Sequence, residues 1–274
     1  MSELNLAELT AASLGRIRAR TPLVHNITNF VVMNDTANVL LAIGASPVMA
    51  HAIEEVREMV GYAGALVLNI GTLEEDWIKA MLVGGDEANA RQTPVVLDPV
   101  GAGATKLRTA TVERIRSAVR VAVVRGNAAE LATIAGMEAE IRGVDAVSSG
   151  DPVAAAQLAA ARFAGTAVVS GAVDYVADAT RLAEIHNGHP LMGRITGSGC
   201  MSTAITGAFL AVEPDAFLAG VEAMIAFGIA GEIAAEKSAG PGTFRANLID
   251  AVAALDEATI LSRARASVRE VTPA

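Results

Sequence analysis

Residues 94–106 read PVVLDPVGAGATK. Pro94–Asp98 is apolar until its last residue, the pattern of a strand buried on both faces of a parallel sheet. It ends in Asp98, and Pro99 with a glycine-rich turn follows at once. Open α/β sheets place their ligands at the carboxyl ends of such strands. One short stretch therefore proposes both a fold class and a place for chemistry.

Further apolar runs of the same kind flank it. Leu23–Ile27, Ser46–Met49, Ala65–Ile70, Val121–Val124 and Ala167–Ser170 read as strands, with longer helical stretches between them. Val173–Ala177 and Arg181–His186, separated by Asp178, Ala179 and Thr180, read as a hairpin at a sheet edge. Helix starts are visible as well. Thr72 with Glu75 forms a capping-box pattern, and Asp151–Pro152 is an N-cap followed by proline at the first helical position. From Cys200 onward the chain reads as almost all helix. Gly207, Gly220, Gly228 and Gly231 lie in its apolar segments, where they permit close helix approach at about 1 kcal/mol each relative to alanine. The expected fold is three-layer α/β, a mostly parallel central sheet with helices on both faces, as a single domain over residues 1–274.

Bulk composition fits this expectation. A chain of 274 residues buries about 75% of its unfolded surface, so it needs no disulfide or metal staple. Hydrophobic residues make up 52% and aromatics only 3%, an interior of small aliphatic side chains suited to helices packed closely on a sheet. The net charge of −9 disfavours nucleic acid and anionic membrane surfaces as partners. Cys200 is the only cysteine, which precludes an intrachain disulfide and fits a reducing, cytoplasmic setting. The opening MSELNLAELT has no signal-like apolar core. Ile195–Val212 carries no charge but opens on glycines, so it reads as a loop feeding a buried helix, not a membrane span.

The strongest chemical signal is TGSGCMST at 196–203. Gly197, Ser198 and Gly199 lead straight into an apolar helix. Glycine lets backbone N–H groups converge, and a helix start adds unpaired donors and the positive end of a dipole. Together these make an anion hole for a transferring phosphoryl group. A Cys200 thiol at that helix start is expected to have a depressed pKa and to act as a base or to orient a hydroxyl. The same residues also suit a tight turn into a core helix with a small buried cysteine. No Walker A motif and no G-x-G-x-x-G opening a first helix occurs.

Two strand-end acids are candidates for Mg²⁺. Asp98 is one, with a turn-forming aspartate as the alternative. Glu130 is the other, in RGNAAE at 125–130, where Asn127 and Glu130 also have the spacing of a capping box. Arg125 would supply a fixed cation to nucleotide phosphate. In PLVHNITN at 22–29, Asn26 and Asn29 bracket a strand end and can orient a neutral heterocycle, or simply cap backbone. Met49 can wall an apolar pocket, although such a methionine is usually core. Zinc-type spacing and a G-x-S-x-G elbow are both absent from the sequence.

Four blocks in order, PLVHNITNFVVMNDTANVLLAIGASPVMA, VVLDPVGAGATKLR, VVRGNAAELATIAG and TGSGCMSTAITGAF, resemble the hydroxyethylthiazole kinase family. The likeness spans about Thr21 to Asp250, and the family belongs to the ribokinase-like superfamily. It implies ATP- and Mg²⁺-dependent phosphorylation of 4-methyl-5-(2-hydroxyethyl)thiazole for thiamine salvage. It assigns the thiazole to positions matching Met49 and Gly197, and ATP to those matching Arg125 and Ser170. Ser170 is a departure from the usual threonine that keeps the hydroxyl. Cys200 stands where many related sugar kinases carry an aspartate base. The resemblance further implies a homotrimer with active sites between subunits.

Overall fold

A computed structural model of the chain describes residues 5–137 and 151–271; the first four residues of the N-terminal stretch quoted above lie outside them. Its frame is a nine-stranded sheet in the order β2-β1-β3-β4-β5-β6-β7-β8-β9. The strands are β1 (Leu23–Ile27), β2 (Ser46–Val48), β3 (Ala65–Asn69), β4 (Val95–Asp98), β5 (Val123–Asn127), β6 (Thr166–Ser170), β7 (Asp174–Ala177), β8 (Arg181–Ile185) and β9 (Ala266–Glu270). Pairings from β2 across to β6 are parallel, and those from β6 to β9 antiparallel.

The central strands bury both faces, which is why they are apolar nearly throughout. Val24, Val67, Val96, Val123 and Val168 point to one side. There they meet α1 (Leu6–Arg20), α2 (Met33–Ile43), α8 (Ser198–Leu210), α9 (Ala216–Glu236) and α10 (Pro241–Ala254) through Leu14, Val39, Ile205, Ile225 and Leu248. Leu66, Val95, Leu97, Val124 and Val169 point to the other side. Their partners are α3 (Ile53–Val60), α4 (Glu75–Arg91), α5 (Lys106–Ala118), α6 (Ala128–Ala135) and α7 (Pro152–Phe163), through Val56, Met81, Ile115, Leu131 and Ala159. The alternation is the period of two that a pleated strand imposes. Helix α11 (Glu257–Arg263) precedes β9.

The glycines in the apolar helices serve the predicted close approach. A Cβ at Gly207 in α8 would lie 2.8 Å from Val67 Cγ2, and one at Gly228 in α9 would lie 2.7 Å from Asn187 Cβ. Among the described residues α9 alone is long and apolar enough to cross a membrane, but it is mostly buried inside the fold.

Four expectations need correction. The strand expected over Val121–Val124 begins at Val123 and runs on through Asn127, so Arg125 lies inside β5 and not after it. The pairing of Arg125 with Val168 across to β6 extends the strand beyond its apolar run. Thr72 does not cap α4: the helix starts at Glu75 without a side-chain cap, and Thr72 Oγ1 accepts the Phe30 N–H instead. Finally, the chain after Cys200 is not helical to its end. β9 covers β8, so the β7–β8 hairpin is internal to the sheet and β9 is the edge strand. Its burial alternates weakly, which left little apolar signal to find.

Candidate active site

Four parallel strands end in polar residues on one rim of the sheet: Asn69 on β3, Asp98 on β4, Asn127 on β5 and Ser170 on β6. Register pairs Asn69 with Asp98 and Asn127 with Ser170. Above this rim lies a cavity of about 720 Å³. Asp98, Arg125, Glu130, Ser170, Asp174 and the loop Gly197–Cys200 line it.

The loop is built as the sequence implies. Gly197 is the N-cap of α8 and has φ +86°, a left-handed backbone where a Cβ would also come within 2.8 Å of Val32 Cγ1. Met201 N–H closes the first helical hydrogen bond onto Gly197 O, at 2.8 Å. The N–H groups of Ser198, Gly199 and Cys200 therefore precede the helical ladder and are free to bind an anion. Arg125 supplies the charge. Its residue exposure is 7%, it forms no ion pair with the described residues, and its Nε has no hydrogen-bond partner. A Cβ on Gly199 would lie 2.8 Å from Arg125 Nη1, so glycine lets the guanidinium reach the loop. A buried cation in direct ion-pair contact with no carboxylate among the described residues, beside three open N–H groups, suits a phosphate group.

Facing it are the two acids. Asp98 is 2% exposed, and its Oδ2 accepts from Thr203 Oγ1 at 2.7 Å and Asn69 Nδ2 at 2.8 Å. Burial pushes its carboxyl up to about 6, against the pull of Arg125 and of the Thr203 hydrogen bond, with Glu130 adding a further push upward. Glu130 does form the capping box with Asn127, so that reading of the N-x-x-E spacing is correct. Its Oε2 accepts Asn127 N–H at 2.9 Å and its Oε1 accepts Gly101 N–H at 2.7 Å. Each oxygen keeps a second lone pair, so capping leaves the carboxylate able to face the cavity. Arg108 staples the neighbouring turns, donating from Nη1 to Val100 O (2.6 Å) and Ile70 O (3.0 Å) and from Nη2 to Gly71 O (2.7 Å).

A sequence model of the hydroxyethylthiazole kinase family matches residues 14–258. The chain belongs to this family. Its likeness to individual members of the hydroxyethylthiazole kinase family runs nearly end to end. The hydroxyethylthiazole kinase of Desulforudis audaxviator is 50% identical over 266 residues, 96% of this chain and 97% of the relative. The solved structure of hydroxyethylthiazole kinase from Pyrococcus horikoshii matches with a TM-score of 0.87 at 47% identity, covering 96% of this chain and 98% of that one. A ribokinase-like superfamily protein from Enterococcus faecalis matches with a TM-score of 0.62 at 14% identity, covering 86% and 88%. At that identity the likeness shows the fold alone, which is ribokinase-like.

The residues singled out in the sequence do not all meet. Gly197, Ser198, Gly199, Cys200, Arg125, Ser170, Asp98 and Glu130 line one cavity. Asn26 and Met49 are not among its lining residues. Asn26 is buried and donates from Nδ2 to Val24 O at 2.9 Å, the local backbone role, while its Oδ1 has no partner. Met49 is half-buried just past the end of β2. His25 is a structural histidine: its Nε2 lies 2.7 Å from Ala50 O, and burial lowers its pKa.

The expected depression of the Cys200 thiol is wrong in sign. Burial, and after it the Asp98 carboxylate, push the thiol up to about 11. Asn69, Asn29 and Arg125 pull it down but do not prevail. Position at a helix start did not decide the matter, because desolvation penalises the thiolate and Asp98 repels it. Sequence reading also missed Asn69, Thr203 and Asp174. Asn69 carried a signal, since it is the one polar residue in the apolar run Ala65–Ile70.

Proposed function

We propose that this chain transfers the γ-phosphoryl group of ATP to the primary hydroxyl of 4-methyl-5-(2-hydroxyethyl)thiazole, giving the thiazole phosphate used in thiamine biosynthesis and salvage. One observation carries the reading: three open N–H groups and the buried Arg125 guanidinium, whose Nε has no hydrogen-bond partner, converge on a cavity whose strand-end side holds Asp98 and Glu130. Developing charge on the transferring group falls to the Ser198–Cys200 N–H groups. Arg125 and the Ser170 hydroxyl hold the nucleotide, and the Gly197 turn borders the thiazole.

Asp98 and Glu130 are the residues that would hold Mg²⁺, directly or through water. Their donor set suits the ion. No hydrogen bond occupies Asp98 Oδ1 among the described residues, and Mg²⁺ commonly takes one or two carboxylates and keeps several waters. When bound, the metal neutralises charge on the nucleotide phosphates. Phosphoryl transfer passes through a loose transition state that asks mainly for positioning and electrostatics. Cys200, protonated at neutral pH, then serves the hydroxyl by orientation and not by abstraction. That role fits the position of its thiol in the cavity wall.

The same reading makes the enzyme a cytoplasmic homotrimer with sites at subunit contacts. Phe30 and Val31 follow Asn29 directly and are 53% and 62% exposed, an apolar surface beside the site that supports a neighbouring subunit. Met49 would then contribute to the thiazole site on that side, with the fully buried Asn26 behind it and not in contact with the ligand. A coupled ADP-release assay tests the function. Turnover is expected only when ATP, Mg²⁺ and hydroxyethylthiazole are all present; equal ADP release without the thiazole overturns it.

A further inference from the structure

The open N–H groups and Arg125 account for the anion side of the cavity. The acid side depends on a residue that does not line it. Asn69 ends β3, is 1% exposed, and reaches both groups assigned to chemistry. Its Nδ2 donates to Asp98 Oδ2 at 2.8 Å and to Cys200 Sγ at 3.2 Å. Among the described residues no other side chain bonds both.

The orientation of this carboxamide is determined by its surroundings. Gly71 N–H can only donate, and it points at Asn69 Oδ1 at 3.0 Å. The Asn29 amide donates to the same oxygen at 2.8 Å. Oxygen and nitrogen of Asn69 therefore cannot exchange places, and both Nδ2 protons face Asp98 and Cys200. Asn29 is locked in the same way. Val31 N–H donates to its Oδ1 at 3.1 Å, which leaves its Nδ2 for Asn69 and, at 3.5 Å, for Cys200 Sγ. Gly71 is required at this point, since a Cβ there would lie 2.6 Å from Asn29 Nδ2.

Two consequences follow for the reacting groups. Asn69 and Thr203 together occupy Asp98 Oδ2, so the open Oδ1 is presented to the cavity. The sulfur of Cys200 accepts from two amides, so its own proton is directed away from them. We propose that Asn69 is a positioning residue for phosphoryl transfer, its carboxamide holding Asp98 and Cys200 in register with each other and with the anion hole.

The inference rests on the assignment of Asp98 made above, and a double-mutant cycle separates the two. Steady-state kinetics on the full chain with ATP, Mg²⁺ and hydroxyethylthiazole are the measurement. Asn69→Ala is expected to lower kcat about 10- to 100-fold, the range for losing a hydrogen bond to a charged group, with both KM values within about 3-fold. In an Asp98→Asn background the same change is expected to cost less than about 3-fold, because the partner through which Asn69 acts is already altered. A residue that only supports the fold would cost the same factor in both backgrounds. Asn69→Ser keeps a small polar side chain at the end of β3 that cannot reach Asp98 and Cys200 together, and it sets no second carboxyl beside Asp98. It is expected to melt closer to the parent chain than Asn69→Ala and to lose kcat about as far. If the alanine variant unfolds, the cycle is run with this one and read identically. Unchanged kcat, a loss confined to KM, or equal losses in the two backgrounds overturn the proposal. Full activity of Asp98→Asn on its own overturns the assignment of Asp98, and the proposal with it.

Discussion

Replacing Arg125 by methionine should weaken nucleotide binding without weakening the fold. The guanidinium is 7% exposed, forms no ion pair with the described residues and leaves Nε unpartnered. Exchanging buried charge for a similar apolar volume is often neutral or stabilising, by about 1–4 kcal/mol where an ion pair is removed. Arg125 returns part of that cost by favouring the ionised forms of Asp98 and Asp174, so the two effects offset and the net change is expected to be small. For a chain of this size 1 kcal/mol moves the melting temperature by roughly 2–4 °C. The ligand-free variant should therefore melt at the parent temperature or a few degrees above it. The functional effect has the opposite sign. Removing one partner of a desolvated charge contact costs about 2–5 kcal/mol, or roughly 30- to several-thousand-fold in affinity. Thermal melting with and without ATP and Mg²⁺ reads both effects at once. At 100 times its Kd, ATP stabilises the parent by about 2.7 kcal/mol; a 30-fold weaker site retains less than about 1 kcal/mol at the same concentration. A variant that melted lower yet kept the full ATP-induced gain would refute the reasoning. Arg125 would then be a structural cation.

Gly197→Ala should cost about 1–2 kcal/mol of backbone strain at φ +86°, plus contact with Val32. Because the anion hole moves with it, kcat/KM should fall more than about 10-fold; parent-like melting and kinetics would argue against the loop geometry. Cys200→Ala keeps every backbone N–H. With its thiol pushed up to about 11, Cys200 is not a base at neutral pH, so kcat should drop less than the ~10²-fold that general-base removal brings. A larger loss with unchanged KM would restore the base. Glu222 on α9 is fully buried, and burial is the main cause that pushes it up to about 8. Ser13 and Arg16 ease the charge, and Glu213 and Asp215 oppose it. A carboxyl raised in the folded state loses its proton more readily when unfolded. Its contribution to stability thus declines as pH rises from the unfolded value near 4.5 to about 8 and is flat beyond. Glu222→Gln should remove that slope and gain on the order of a few kcal/mol at pH 8, measurable by denaturant melts at pH 5 and pH 8. Equal gains at both pH values would show that ionisation is not the cause. Light scattering of active enzyme should give a trimer mass; a fully active monomer rules out sites between subunits.

The polar residues on the strand ends were legible for a simple reason. An apolar run closing on Asp98, or a glycine pair opening an uncharged helix at Ser198, is a local pattern with a local cause. The boundary of β5 was less legible, because Arg125, Gly126 and Asn127 are held in the strand by pairing with β6 and not by hydrophobicity. β9 was missed on the same ground: its alternation is weak, and its partner β8 lies about 85 residues earlier.

What the sequence determined by itself is the layered α/β frame, the family and the two stretches, around Asp98 and Gly197–Cys200, that supply the proposed acids and anion hole. These rest on periodicity, turn chemistry and an ordered series of motifs, all readable along the chain. Only the tertiary structure decided which of those residues share one cavity, that Asn69 bridges Asp98 and Cys200 across 29 and 131 positions, and that the Cys200 thiol is raised and not lowered. Desolvation and charge act through space, and how much water is excluded around a side chain is set by elements distant in sequence closing over it.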